Sequence, residues 1–274
     1  MISVIVTSRV DGNINHNLNE LVRSLAEHSR RPGDIELLVK FDNNDNLARE
    51  AEATLFNKKV PFWIKCAYGP RERGYIDIHH GYNQLLPMMN PTTKIVIAMA
   101  DDFRAEPGWD SALRNVSEGA TDYFIIHQRP HPIPKDQFLN KTGQARTAFN
   151  LENNMFEGED LYIINEAPAW SKQLLDACGD ICGGSGEVFP VSFTDAWTLC
   201  LEYVLWHQYE INITKFIPEI FINRKTCEVD QPSNERWSTD RKVNFDYIKS
   251  NPFRSIVGRQ AKEIACRLKQ TAKF

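Results

Sequence analysis

The sequence predicts an α/β fold in three layers, with a mostly parallel central sheet between helices and a C-terminal amphipathic helix. Strand-like apolar runs alternate with helix-period segments as far as residue 127. Two adjacent acids, Asp101 and Asp102, follow directly on the apolar run Ile95-Val96-Ile97-Ala98-Met99. The last 25 residues repeat apolar positions at helical spacing.

Residues 2–7 are rich in β-branched side chains and predict a buried strand, followed by a polar loop over 8–15 that contains Gly12. A helix is expected over 17–29, with Leu18, Leu21, Val22 and Leu25 on one stripe, stopped by Pro32-Gly33. Residues 35–41 form the second strand, closing on Asp42, Asn43, Asn44 and Asp45, and a helix over 46–56 leads to a third strand at 61–66. Residues 75–86 are partly helical. The strand at 94–99 carries the acids, Pro107 suits the first turn of a helix over 109–116, and 122–127 is a further strand. Alternation of this kind implies right-handed crossovers and a mostly parallel sheet.

The rhythm fails over 128–160, where Pro130, Pro132, Pro134, Gly143 and Gly158 interrupt the chain, as in a lid or specificity insertion. A short strand at 161–164 and a helix over 169–178 follow, then a glycine-rich stretch, 179–186, whose spacing is not that of a phosphate loop. Thr194 caps a helix running from Asp195 through His207, and strand-like segments at 209–216 and 219–222 are split by Pro218.

Among 274 residues, hydrophobic content of 42% and charged content of 25% are those of a water-soluble globular chain able to bury a sizeable core. No apolar run reaches the length of a membrane span, and no basic leader precedes the first strand, so a cytoplasmic protein is expected. Six scattered cysteines fit a reducing compartment; Cys178 and Cys182 have no second close pair to complete a zinc site. The net charge of −4 is uneven: nine Lys/Arg against two acids over 241–273 give +7, leaving about −11 on the rest. A net positive balance is thus found only in the tail, which argues against a nucleic-acid partner.

Adjacent carboxylates where a buried strand leaves the core can hold a divalent cation against a phosphate, pointing to a metal-assisted enzyme on a nucleotide-activated substrate. Helix capping is the bland alternative for both acids. Asp42, closing the second strand, can accept from a base or ribose, or merely form a turn with Asn43 and Asn44. Thr7 and Arg9 belong to the first carboxyl-edge loop, and the planar cation of Arg73 matches phosphate oxygens. His79 and His80 diverge on a helix and do not make a metal pair. Of the aromatic residues Trp170, Phe189, Phe193 and Trp197, Trp170 has the better claim to stack on an acceptor sugar, and Trp197 reads first as core.

These motifs, in this order, resemble the family-2 glycosyltransferases, over roughly residues 1–225. Ile2–Thr7 is similar to the opening strand, Ala100-Asp101-Asp102 to the metal-binding acid motif, and Pro107-Gly108-Trp109 to its common continuation. Ala100 departs from the acid or asparagine common at the first position of that motif. The resemblance implies a GT-A-like three-layer sandwich and inverting transfer of a hexose from a nucleotide-sugar, a UDP-sugar by family frequency, to a glycan, lipid-linked or small hydroxyl acceptor in glycan or polysaccharide synthesis. It further implies Mn²⁺ or Mg²⁺ on Asp102, with Asp101 as second ligand or sugar contact. Asp42 falls at the base or ribose, Arg73 through Asn83 on the diphosphate side, and Asp195 at the catalytic base. Residues 1–127 then bind the nucleotide-sugar, 128–225 carry the acceptor site and the base, and 226–274 form an extension. Its basic helix docks on the domain or touches a membrane surface. A sugar nucleotidyltransferase would carry a basic glycine-rich loop after the first strand, where only Arg9 and Gly12 stand. A binding protein without turnover is the third reading.

Overall fold

The computed structural model describes residues 1–10, 17–70, 78–120, 122–128, 149–150, 155–156, 167–181, 194–217, 222–224 and 251–271. The expected strand at 161–164 and all but the last residue of that at 219–222 lie outside this set.

A seven-stranded sheet forms the middle layer. Its strands are β1 (Ile2–Ser8), β2 (Ile35–Asp42), β3 (Trp63–Gly69), β4 (Ile95–Ala100), β6 (Ile125–Gln128), β9 (Ala169–Ser171) and β10 (Thr214–Ile217), in the order β10-β6-β9-β4-β1-β2-β3. Pairing is parallel except at β9, which runs antiparallel to both neighbours, β4 and β6. Two small sheets stand apart: β5 (Phe103–Ala105) with β11 (Ile222–Arg224), and β7 (Phe149–Asn150) with β8 (Met155–Phe156).

Both faces of the sheet are covered, which is why β4 reads as an unbroken apolar run and β1 and β2 as apolar runs interrupted by single polar residues such as Ser3, Glu36 and Lys40. On one face Ile2, Val4, Val6, Ile95, Ile97 and Met99 pack with α1 (Asn17–His28), α2 (Ala48–Asn57) and α4 (Trp109–Ser117), through Leu21, Leu25, Leu55, Trp109 and Leu113. On the other face Ile5, Leu38, Val96 and Ala98 meet α3 (Ile78–Leu85), α5 (Lys172–Cys178), α6 (Thr194–Tyr209) and α7 (Asn251–Thr271). The expected three layers are present. Ile256, Val257, Ala261, Ile264 and Ala265 of α7 are buried, so the apolar stripe of the tail docks on the domain.

Several boundaries differ from expectation, among them the strand expected over 209–216, which begins only at Thr214. The segment 169–178 is strand first and helix second, because the Ser171 hydroxyl accepts from Leu174 N at 3.2 Å and caps α5. α6 runs to Tyr209, two residues past its expected end. It closes on Glu210 in the left-handed region (φ 57°), with Glu210 N bonded to Trp206 O and Ile211 N to Leu205 O. β3 starts at Trp63 and reaches Gly69, whose position opposite Asp42 extends the edge of the sheet.

Candidate active site

The carboxyl ends of β1, β2 and β4 lie side by side. Thr7 on β1 is flanked in register by Lys40 on β2 and Ala100 on β4, so the residues just beyond these positions share one edge. The structure thereby brings Thr7, Arg9, Asp42, Asp101 and Asp102 together.

Asp101 follows the strand parity of Ile97 and Met99 and turns toward the α1 side. There the Ser8 hydroxyl donates to its carboxylate at 2.7 Å, and the Arg104 guanidinium donates to its backbone oxygen at 3.2 Å. Burial pushes its carboxyl up to about 6, assisted by the neighbouring Asp102 charge and opposed by the Ser8 hydrogen bond. Asp102, in the same turn, is partly exposed. Tyr82 on α3 donates to Met99 O at 3.2 Å and braces the strand just before the acids.

Asp42 is held by two cations. Lys40, itself buried, donates to one carboxylate oxygen at 2.5 Å and to Pro70 O at 3.0 Å. Arg9 reaches the other oxygen at 3.5 Å and Asn44 at 3.0 Å. Asp45 shapes the same corner, accepting from Val10 N at 2.6 Å and Leu47 N at 3.0 Å. Helix α3 comes unusually close to β1: a Cβ on Gly81 would stand 2.5 Å from Thr7 Cγ2. That contact needs glycine.

Other expected residues are placed differently. The Asn83 side chain is committed to the backbone of Ile181, giving a hydrogen bond at 3.0 Å and receiving one at 2.8 Å, which staples α3 to the end of α5. His79 is buried and its ring lies 4.2 Å from that of His80. Trp170 is no acceptor platform. It is fully buried, donates to Thr198 Oγ1 at 3.1 Å and sits edge-on to the buried Trp197. Asp195 is in the first turn of α6, as expected, though its side chain lies outside the described residues. Arg73, Cys182, Phe189 and Phe193 also lie outside that set.

Sequence reasoning missed Ser8, Lys40 and Arg104. Ser8 was legible as the residue beyond Thr7 that shares the face of Val4 and Val6. Lys40 was legible as a cation two residues before Asp42, hence on the same strand face. It also missed a buried pair that joins β6 to α6: His127 Nε2 lies 2.9 Å from both oxygens of Glu202, which also accepts from Thr214 at 2.5 Å.

Among the described residues no group of three or more His, Cys, Asp or Glu side chains could hold a metal ion. Two adjacent carboxylates suit another mode, in which Mg²⁺ or Mn²⁺ takes one or two protein oxygens and completes its shell with phosphates and water. The donor set at Asp101-Asp102 fits that mode.

No protein-family model matches the sequence, and no curated protein does. Solved structures do. Residues 1–349 of S. aureus TarS in complex with UDP share 13% identity at a TM-score of 0.54, covering 81% of this chain and 59% of that one. A second TarS structure gives 12%, 0.51, and 81% against 36%. The mannosyltransferase PcManGT from Pyrobaculum calidifontis, in complex with GDP-Man and Mn²⁺, gives 15%, 0.55, and 96% against 69%. The fold is GT-A-like. This chain spans less than two thirds of the length of either TarS structure, and identities this low speak for fold alone. No helix among the described residues is long and apolar enough to cross a membrane.

Proposed function

We propose that this chain transfers a hexose from a nucleotide-sugar, a UDP-sugar by family frequency, to a hydroxyl acceptor with inversion, using Mn²⁺ or Mg²⁺. The observation that carries the proposal is the placement of Asp101 and Asp102 at the end of central strand β4, beside the ends of β1 and β2, in a GT-A-like fold. In this reading Asp102, with Asp101, holds the cation, which when bound neutralises charge on the departing diphosphate. Asp42 takes the base or ribose, with its orientation set by Lys40 and Arg9. Arg73 is assigned to the diphosphate, and Thr7 and Arg9 to the first carboxyl-edge loop near the nucleotide. Asn83 enters as the residue that holds α3 in place rather than as a direct phosphate contact, because both ends of its amide are engaged.

Asp195, in the first turn of α6, removes the proton of the acceptor hydroxyl as that oxygen attacks the anomeric carbon. The transfer needs its carboxylate within about 3 Å of the hydroxyl. Residues 1–127 serve as the donor half and 128–225 as the acceptor half. The 226–274 extension ends in a helix whose apolar stripe is spent on α5 and α6, so any membrane contact would fall to exposed basic residues such as Arg259, Lys262 and Lys269.

The test is release of nucleotide from a panel of nucleotide-sugars with Mn²⁺, Mg²⁺ or EDTA, with and without hydroxyl acceptors. Turnover of one donor, dependent on metal and lost in Asp102→Ala with the fold intact, is the expected result. Metal-independent release, or full activity in Asp102→Ala, would refute the metal assignment; full transfer by Asp195→Asn would remove the base.

A further inference from the structure

Helix α6, which carries Asp195, packs through an apolar stripe: Trp197, Cys200, Leu201, Val204 and Leu205 are all buried, while Trp206, His207 and Gln208 are exposed. Apolar packing is non-directional, so hydrogen bonds at defined positions add to what sets the rotation of such a helix. Trp170 on β9 donates to Thr198, and Glu202 meets His127 on β6 and Thr214 on β10, which ties α6 to the sheet. A further bond runs to the C-terminal helix. Trp197 Nε1 donates to Gln260 Oε1 at 2.9 Å, and Gln260 is 3% exposed.

The other end of the Gln260 amide reaches the far side of the interface. Its nitrogen donates to Cys178 O at 3.1 Å and to Asp180 O at 3.4 Å. These are carbonyls at and just beyond the end of α5, where a helix leaves its last acceptors unsatisfied. The next residue, Ile181, exchanges two hydrogen bonds with Asn83 of α3. Helix α3 in turn lies on β1 at the Gly81–Thr7 contact. A continuous polar path therefore joins α6 through Gln260 and the 178–181 segment to the helix packed against Thr7.

We propose that Gln260 is a positioning residue for the reaction: the C-terminal helix, through this amide, ties the first turns of α6 to α3 at the donor edge, beside the bonds that tie α6 to β6, β9 and β10. The inference rests on the proposed function, since what it positions is Asp195 against the diphosphate held near Asp101 and Asp102. Displacing a catalytic group by about 1 Å can cost about 100-fold in rate, and Gln260 acts on that geometry without touching a substrate.

The test compares wild type, Gln260→Met and Trp197→Phe. The first variant keeps the side-chain length and removes all three hydrogen bonds; the second removes only the indole donor and covers the case in which Gln260→Met fails to fold. The expected result is a kcat about 10- to 100-fold lower, donor KM within about threefold, and faster backbone hydrogen exchange at 178–181 and 194–200 with β1 and β2 unchanged. The double variant should lose less than the product of the single losses, because both changes break one contact. Transfer by the wild type with kcat unchanged in both variants would overturn this inference alone. So would exchange that rises uniformly across the protein in step with falling stability. Absence of transfer by the wild type would overturn the function reading, and this inference with it.

Discussion

Asp101 is an acid that the folded protein tolerates at a cost, and replacing it with asparagine should stabilise the free protein. A rise from 3.8 to about 6 means that the fold favours the protonated carboxyl over the carboxylate by about 3 kcal/mol. The native state therefore holds a proton that the unfolded chain has released between pH 4 and pH 6. Stability contributed by this group falls as pH rises through that window, and the full penalty is present above it. Asparagine keeps an oxygen to accept from Ser8 and leaves the Arg104 bond to the backbone untouched. At pH 8 Asp101→Asn should gain about 2 to 3 kcal/mol, shrinking toward zero near pH 4. Urea denaturation of both proteins across pH 4 to 8, without divalent cation, measures the difference. Added Mn²⁺ and nucleoside diphosphate should then stabilise the wild type more than the variant. An Asp101→Asn protein no more stable than wild type at pH 8, or a gain independent of pH, would refute the claim that a desolvated charge is stored there.

Three further outcomes test the frame that holds the site. Asp110 is fully buried and accepts from Arg30 N at 2.8 Å and Arg31 N at 2.9 Å, so Asp110→Ala strands both donors and should cost about 2 to 3 kcal/mol in denaturant unfolding. Glu36 is also buried; desolvation raises its pKa, but hydrogen bonds from Ser3, Asn90 and Lys65 outweigh it and leave the value below the ordinary 4.5. Its contribution is complete above that pH and lost as pH falls through the lowered value, so Glu36→Gln should flatten the acid limb of a stability–pH curve below about pH 4.5. Gly81→Ala drives a methyl against Thr7 Cγ2 and should cost about 1 to 3 kcal/mol of thermal stability, with Thr7→Ser recovering part of it in the double variant.

The same physics explains which parts of the molecule were readable in advance. A strand buried on both faces is apolar over most of its length, so β1, β2 and β4 stood out, and with them the acids at the ends of β2 and β4. The tail stripe was readable for the equivalent reason at helical period. β9 was not: three residues, Ala-Trp-Ser, carry no period, and they run directly into α5. What separates strand from helix there is the Ser171 hydroxyl, which caps α5 and also accepts from Phe124 N at 3.1 Å across the sheet. The end of α6 was hidden because Glu210 occupies a left-handed position where glycine is the usual signal. At the site, acids were legible by type and place, but their state was not. Lys40 lies inside an apolar run and reads as an intrusion until its partner Asp42 is seen on the same face. Asp101 and Asp102 are neighbours in sequence and alike in partial exposure, yet Asp101 is the one that takes the Ser8 hydrogen bond and whose carboxyl burial pushes up. Tertiary contacts divide the work between two like residues, and sequence spacing alone cannot.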